Sequence, residues 1–179
     1  GAVLRGVQCA CTSPSSESFA QKWRCLAASL QFSLNAAEEQ IEELRTLSEQ
    51  AGRPWLIDAD EMNPWPTGLT DTNANDIRKR VLYDALFSGG GVEFYLGWHN
   101  LPLGGDLSLE DFRTRDEMWT YVGYARHFIE AELPFWEMNP MDNLLRNEST
   151  AYGEGQVFAK DDQVYAVYLG NASSTGELN

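Results

Sequence analysis

Along most of this chain, segments with the hydrophobic pattern of a strand alternate with segments that have the pattern of a helix. Short apolar runs typical of strands lie at 26–34, 55–60 and 92–98. Apolar residues spaced three or four positions apart predict helices at 35–51, about 75–88 and 108–132. Strand and helix thus alternate three times with tight connections. This order is typical of an α/β fold whose helices cross over between parallel strands.

The first predicted helix carries signals at both ends. Asn35 followed three residues later by Glu38 has the pattern of a capping box. Gly52 and then Pro54 predict its end. Its apolar stripe is expected to be Ile41, Leu44, Leu47 and Ala51. The stripe expected for the second helix is Ile77, Val81 and Ala85, with Leu82 beside it.

The pattern changes at Phe135, after the third predicted helix. The next segment is irregular, and a short antiparallel β-hairpin is then predicted. Its strands are expected at 156–160 and 164–169, joined by a turn at Asp161 and Asp162. We therefore predict two regions, an α/β region at 1–134 and a C-terminal extension with the hairpin at 135–179.

Composition excludes several classes of partner. The 179 residues carry a net charge of −14, which argues against nucleic acid and anionic membrane surfaces because both attract basic patches. No apolar run reaches the length of a membrane span, and the first residues lack a secretion-signal pattern. Three cysteines and two histidines give no metal-binding pattern, so no cofactor is expected.

The second predicted strand ends in three carboxylates, Asp58, Asp60 and Glu61. The carboxyl ends of parallel strands face the active-site mouth in α/β folds. Asp58 and Asp60 share one side of the strand, whereas Glu61 lies where the strand breaks and alternation can fail. Glu93 on the next strand is expected to point with Tyr95 toward the same rim.

These residues suggest sugar chemistry. Two carboxyl groups at one site push their pKa values apart, which divides acid and base roles between them. Aromatic rings beside carboxylates suit the apolar faces of sugar rings. The predicted catalytic residues are Asp60, Glu61 and Glu93. The predicted substrate-binding residues are Trp65, Tyr95, Trp98 and His99.

Other interpretations of the charged residues remain open. Acidic residues after a strand often cap the next turn, and Glu93 could pair with Arg78 or Arg113. The acidic strand end could instead hold Ca²⁺ or Mg²⁺, although it lacks the spacing of an EF-hand loop. Arg115, in the dense charge cluster of the third predicted helix, is expected on a solvated face.

Five segments in this order resemble a family of known enzymes: "GRPWLIDADEMNPWPTG", "DIRKRVLYDALFSGGGVEFYLGW", "LEDFRTRDEMW", "LPFWEMNPMDNLL" and "GQVFAKDDQVYAVYLGN". They resemble the C-terminal part of bacterial (β/α)₈-barrel glycoside hydrolases, the DUF5060/DUF4038-like polysaccharide-degrading group. In that group a small β-sandwich, sometimes labelled a collagen-binding domain, follows the barrel. The resemblance implies that 1–134 is a partial TIM-barrel-like unit and that the hairpin opens the sandwich.

The resemblance also implies roles and partners. Glu61 matches the nucleophile of retaining enzymes, Asp60 its neighbour, and Glu93 an inward residue of the last barrel strand. The family's acid/base residue is expected on a strand upstream of this chain. The implied functions are to act on or bind carbohydrate, or to serve as a non-catalytic binding or assembly module. A homo-oligomer is expected to complete the exposed barrel edge, and the implied location is secreted or periplasmic.

Overall fold

A four-stranded sheet organises the first part of the protein. The computed structural model describes residues 8–12, 24–32, 36–62, 74–94, 115–146, 155–170 and 175–178. The strands are β1 (Gln8–Thr12), β2 (Arg24–Phe32), β3 (Leu56–Met62) and β4 (Gly91–Val92), in that spatial order. β2, β3 and β4 are parallel, whereas β1 pairs antiparallel with β2. The predicted α/β class is confirmed; β1 was not predicted.

Helices follow β2, β3 and β4 along the chain. They are α1 (Ala37–Gln50), α2 (Ala74–Ile77), α3 (Tyr83–Phe87) and α4 (Asp116–Glu132). A five-residue π turn, Arg78–Leu82, joins α2 to α3, so the second predicted helix forms as one segment with a wider turn inside it. Among the described residues, no helix combines the length and apolarity needed to cross a membrane.

The ends of α1 agree only partly with prediction. Gly52 adopts a left-handed φ of 70° just after the helix, the conformation for which glycine is the preferred stop. The capping box predicted at Asn35 is wrong, because Ala36 occupies the cap position and no side chain caps the helix. The first turn of the helix packs against the core instead, with Ala37 at 1% exposure.

The apolar stripe of α1 is also shifted from its predicted position. Leu47 is 47% exposed, while Ser48 is buried. The Ser48 hydroxyl donates to the Arg45 carbonyl at 2.8 Å and accepts from the Trp55 amide at 3.1 Å. Burying Ser48 is tolerated because both of its hydrogen-bonding roles are met.

The main core fills the space between the sheet and the helices. The sheet contributes Ala28, Leu30, Ile57 and Ala59, all at 1% exposure or less. The predicted stripe of the second helix is confirmed, since Ile77, Val81 and Ala85 are fully buried in the same cluster. One face of the parallel sheet is therefore apolar and covered by helices.

The C-terminal region forms small antiparallel sheets. Its strands are β5 (Asn139–Pro140), β6 (Leu145–Arg146), β7 (Gln156–Lys160), β8 (Val164–Tyr168) and β9 (Glu177–Leu178). Short 3₁₀ turns occupy Phe135–Glu137 and Asp142–Leu144. The predicted hairpin is confirmed as β7 and β8, and Asp162 in its turn has a φ of 57°. β5 extends the hairpin into a three-stranded sheet, and β6 pairs with β9.

The hairpin packs on α3 through aromatic rings. Tyr83 stacks on Tyr168 with centroids 4.2 Å apart, and Phe87 lies 6.0 Å from Phe158. These rings belong to a second core with Leu133, Met138 and Ala166. The C-terminal extension is thus held against the α/β region by apolar contacts. The boundary at 134 and 135 stays a prediction.

The start of α4 differs from expectation. Arg115 is 1% exposed, so its predicted place on a solvated face is wrong. Met118, one turn into the helix, is fully buried in the main core, although the predicted stripe omitted it. Burial of Met118 draws the first turn toward the core, and Arg115 with it. The predicted start of this helix at 108 lies outside the described residues.

Candidate functional site

The two faces of β3 differ in the residues they carry. Ile57 and Ala59 are fully buried against the helices. Asp58 and Asp60 lie half-buried on the opposite face, because successive side chains of a strand alternate. Leu56 shares that face and is 67% exposed. The parallel sheet therefore presents carboxylates on the face that the helices do not cover.

Pairing between β3 and β4 brings Glu93 to Asp58. Asp58 is the partner of Gly91, and Ala59 is the partner of Val92. The Glu93 amide donates to the Ala59 carbonyl at 2.7 Å, which extends the register by one residue. The Glu93 and Asp58 carboxyl groups are then within hydrogen-bonding distance. Gly91 leaves room for this contact, since a Cβ there would overlap the Asp58 carboxylate.

A hydroxyl group holds Asp60 in place. The Ser29 hydroxyl donates to Asp60 Oδ2 at 2.6 Å across the β2–β3 pair. The register of this pair shifts at Asp60, so that Glu61 rather than Asp60 is the partner of Gln31. A bulge of this kind bends a strand and re-aims its side chains, and bulges are common beside active sites.

Asp58, Asp60 and Glu93 form what we call the sheet cluster. Burial, followed by the negative charges of Glu93 and Asp60, raises the pKa of Asp58 to about 6. The hydrogen bond to Glu93 acts in the same direction, because two carboxyl groups in contact share one proton. Asp58 can therefore hold a proton at a pH where an ordinary aspartate has lost it. Such a group is suited to act as a general acid.

The structure brings together some of the predicted site residues. Asp60 and Glu93 lie on the same face of the sheet. Asp58 was left out of the predicted site, although strand alternation already placed it beside Asp60. Its contact with Glu93 depends on the β3–β4 register, which a single sequence does not give. The Glu61 side chain lies outside the described part of the chain, as do four whole residues: Trp65, Tyr95, Trp98 and His99.

The alternative in which Glu93 pairs with Arg78 is wrong. Glu93 is exposed. Arg78 instead donates to the Asn75 side chain at 2.9 Å and to the Tyr168 hydroxyl at 3.3 Å. The Arg78 guanidinium also lies 5.4 Å from the centroid of the Tyr121 ring. Arg113, the other suggested partner, lies outside the described residues.

A separate groove lies among the helices. Its volume is about 240 Å³, and it is lined by Asn75, Arg78, Tyr83, Tyr121 and Tyr124. These residues come from α2, the π turn, α3 and α4 rather than from the sheet. The groove thus places three tyrosine rings beside the polar side chains of Asn75 and Arg78.

The described carboxylates at the strand end are not spaced to share one cation. As far as the described residues extend, that spacing occurs among Glu38, Glu42 and Asp142, with one oxygen from each within 4.8 Å of the others. The suggested calcium or magnesium site at Asp58 and Asp60 therefore has no support from spacing.

Comparison with known proteins adds no relative. The chain matches no protein-family model, no curated protein and no solved structure. The likeness to glycoside hydrolases stays a resemblance between short segments. Any functional assignment therefore depends on the chemistry of the residues described above.

Proposed function

We propose that this protein binds carbohydrate and cleaves glycosidic bonds on the carboxylate-bearing face of its parallel sheet. The observation that carries the proposal is the sheet cluster, in which Asp58 touches Glu93 and lies beside Asp60. Three parallel strands in chain order, with helices over one face, are what successive units of a (β/α) barrel would give. In a barrel the other face would line the interior.

The proposal assigns Asp58 the role of general acid, because its pKa of about 6 keeps it partly protonated. Retaining glycosidases place acid and nucleophile about 5–5.5 Å apart. The contact between Asp58 and Glu93 is shorter than that separation, so this pair does not supply both roles. Glu61 is the nucleophile in this proposal, as the resemblance implies, and Glu93 adjusts the proton affinity of Asp58.

Hydrolysis of a panel of aryl glycosides and polysaccharides tests the proposal. We expect Asp58→Asn to lower kcat about 10²–10⁴-fold on natural polysaccharides, where the leaving group needs a proton. The loss should be smaller on aryl glycosides, whose leaving groups depart without one. Glu61→Gln should abolish turnover on both. Asp76→Asn is the matched control, because Asp76 is exposed on α2 and away from the sheet. Equal inactivity of all four proteins would overturn hydrolysis.

A second function is favoured by the exposed Leu56. This leucine is 67% exposed on the same face as Asp58 and Asp60. An apolar side chain among carboxylates suits a contact surface, as in the non-catalytic binding or assembly module. If the wild type is inert but dimeric in solution, and Leu56→Ser makes it monomeric, the assembly function replaces the hydrolytic one.

A further inference from the structure

A second group of carboxylates lies where α1, α3 and the hairpin meet. We call it the helix–hairpin cluster; its members are Glu38, Glu42, Asp84, Asp142 and Gln156. One oxygen from each of Glu38, Glu42 and Asp142 lies within 4.8 Å of the others. Gln156 Nε2 donates to Glu38 Oε2 at 2.6 Å, which places the Gln156 amide at the group. The cluster thus joins residues 118 positions apart.

Two buried acceptors in the cluster lack a hydrogen-bond donor. Gln156 is fully buried, and its Oε1 has no partner although the nitrogen of the same amide touches Glu38. Asp142 Oδ1 accepts from the Val157 amide, but the buried Oδ2 has no donor. Buried oxygens are almost always paired, so two orphaned oxygens at one place indicate a missing electropositive partner.

Three carboxylates of the cluster also lack a basic partner. Within the described part of the chain, no basic side chain forms an ion pair with Glu42, Asp84 or Asp142. Arg45, one turn along α1, donates to the Gly89 carbonyl instead. Burial, followed by the charge of Glu38, raises the pKa of Asp84 to about 7. Burial raises the pKa of Asp142 to about 7 as well. The hydrogen bond from the Val157 amide lowers this pKa, whereas the charges of Glu38 and Glu42 raise it further.

We propose that the helix–hairpin cluster binds a divalent cation, Ca²⁺, which ties α1 to the C-terminal hairpin. Ca²⁺ takes six to eight oxygen ligands at about 2.3–2.6 Å, so two oxygens across one ion lie at most about 5 Å apart. The 4.8 Å spread of the three carboxylates fits this limit. Glu38, Glu42 and Asp142 supply carboxylates, Gln156 Oε1 supplies an amide oxygen, and waters complete the shell. The all-oxygen ligand set disfavours metals that prefer sulfur or imidazole.

The competing explanation is a shared proton. Asp142 and Glu42 are within hydrogen-bonding distance, and a proton between them would satisfy one orphaned oxygen without any metal. In that case the cluster would respond to pH but not to calcium. The two explanations therefore separate by the response to calcium at pH 8, which a bound cation predicts and a shared proton does not.

Thermal unfolding of the full chain at pH 8, in EDTA and then in calcium chloride, tests the proposal. We expect calcium at about 100 times its Kd to raise the Tm by roughly 5–10 °C. Glu42→Gln and Asp142→Asn should lose this rise. The amide oxygen that Asp142→Asn introduces can still accept from the Val157 amide, so this variant keeps the structural bond. The Tm of both variants in EDTA should equal or exceed that of the wild type, because each removes an unpaired charge.

Glu43→Gln is the matched control. It makes the same change of charge on the same helix, one position from Glu42, but Glu43 is exposed. It should keep the full calcium response. A wild type that does not respond to calcium overturns the proposal, as does an equal response in Glu42→Gln and Asp142→Asn. A response to magnesium with none to calcium overturns the assignment of the ion.

Calorimetry supplies a readout that is independent of stability. Titration of calcium chloride into the EDTA-treated wild type at pH 8 should give a heat of binding that saturates at one ion per chain. Glu42→Gln and Asp142→Asn should lose this heat, whereas Glu43→Gln should keep it. The same heat and affinity in all four proteins would contradict coordination by these carboxylates.

Discussion

The sheet cluster and the helix–hairpin cluster contain the same chemical groups in different surroundings. In each, two carboxyl groups touch: Asp58 with Glu93, and Asp142 with Glu42. Glu93 is exposed, so the sheet cluster keeps contact with water. The helix–hairpin cluster instead contains buried oxygens that have no donor. An accessible carboxyl pair can be satisfied by a proton and by water, whereas the calcium proposal assigns the enclosed oxygens a bound cation.

The two clusters also differ in what supports them. The sheet cluster depends on neighbouring parallel strands, with Ser29 holding Asp60. The helix–hairpin cluster exists only while the hairpin packs on α3, because Gln156 belongs to β7. Disrupting the hairpin contact should therefore affect one cluster and spare the other.

The largest expected effect comes from Phe87→Ala. Phe87 is 1% exposed and contacts the rings of Phe158 and Tyr168, so its removal leaves a cavity between α3 and the hairpin. We expect the free energy of unfolding to fall by about 3–5 kcal/mol in urea denaturation. The calcium response should disappear, while the pKa of Asp58, followed by NMR, should stay near 6.

Phe128→Ala is the control for that variant, because Phe128 is a phenylalanine of α4 with 39% exposure. It should cost much less stability and leave both clusters unchanged. The proposed separation is wrong if Phe87→Ala alters the Asp58 titration but preserves the calcium response.

Gly91→Ala should have the next largest effect and should act on the sheet cluster alone. The added methyl group would overlap the Asp58 carboxylate and push it from Glu93. We expect a loss of about 1–3 kcal/mol in unfolding free energy, typical of overpacking. Gly123→Ala on α4 is the control, since its Cβ meets nothing within 4 Å. That variant should gain up to about 1 kcal/mol from helix propensity. Equal stability of the two variants would refute the close contact at Gly91.

The smallest effect concerns pH. The folded pKa of Asp84, about 7, lies above the ordinary value of 3.8, so between these values the native state binds more protons than the unfolded state. The Asp84 contribution to stability in EDTA should therefore fall as pH rises from 4 to 7, by on the order of 1 kcal/mol in total because solvent screens this half-buried group. Asp84→Asn removes that contribution, while the one from Asp142 remains, and should be more stable than the wild type at pH 8 by on the order of 1 kcal/mol.

The fall in stability that Asp58 of the sheet cluster causes should end at a lower pH. The folded pKa of Asp58 is about 6, so Asp58→Asn should flatten the stability curve only between about pH 4 and 6. Asp76→Asn, an exposed change of the same kind, should leave the whole curve unaltered. Chemical denaturation at fixed pH steps measures all three variants. Identical pH windows for Asp58→Asn and Asp84→Asn would remove the distinction between the clusters.

Local periodicity was sufficient to predict much of the fold. The stripe of Ile77, Val81 and Ala85 was evident because all three residues face one core. β1 was missed because its five residues are too few to show a strand period, and its antiparallel pairing with β2 is a long-range contact that local periodicity does not reveal. Ser48 rather than Leu47 is buried in the core. A hydroxyl group can be buried when it is hydrogen-bonded, and a hydrophobic pattern cannot predict this.

The candidate site was less accessible to sequence reasoning. Glu61 and Glu93, with Asp60 beside them, were predicted to share a rim because parallel strands end at the same edge. The structure describes the side chains of Asp60 and Glu93 on one face, and the Glu61 part stays a prediction. The contact between Asp58 and Glu93 needed the register and the space left by Gly91. The helix–hairpin cluster could not be predicted at all. Its members come from four separate elements, and no local pattern relates Glu38 to Gln156.

The π turn at Arg78–Leu82 has an evolutionary consequence. Each residue of an α-helix advances about 100° around the helix axis, so one added or lost residue rotates everything beyond it by that angle. Val81 faces the main core, whereas Phe87 faces the hairpin. A single-residue deletion within this turn would yield a more regular helix but swing Phe87 away from its aromatic partners. Selection should therefore act against insertions and deletions in the π turn wherever the hairpin is kept.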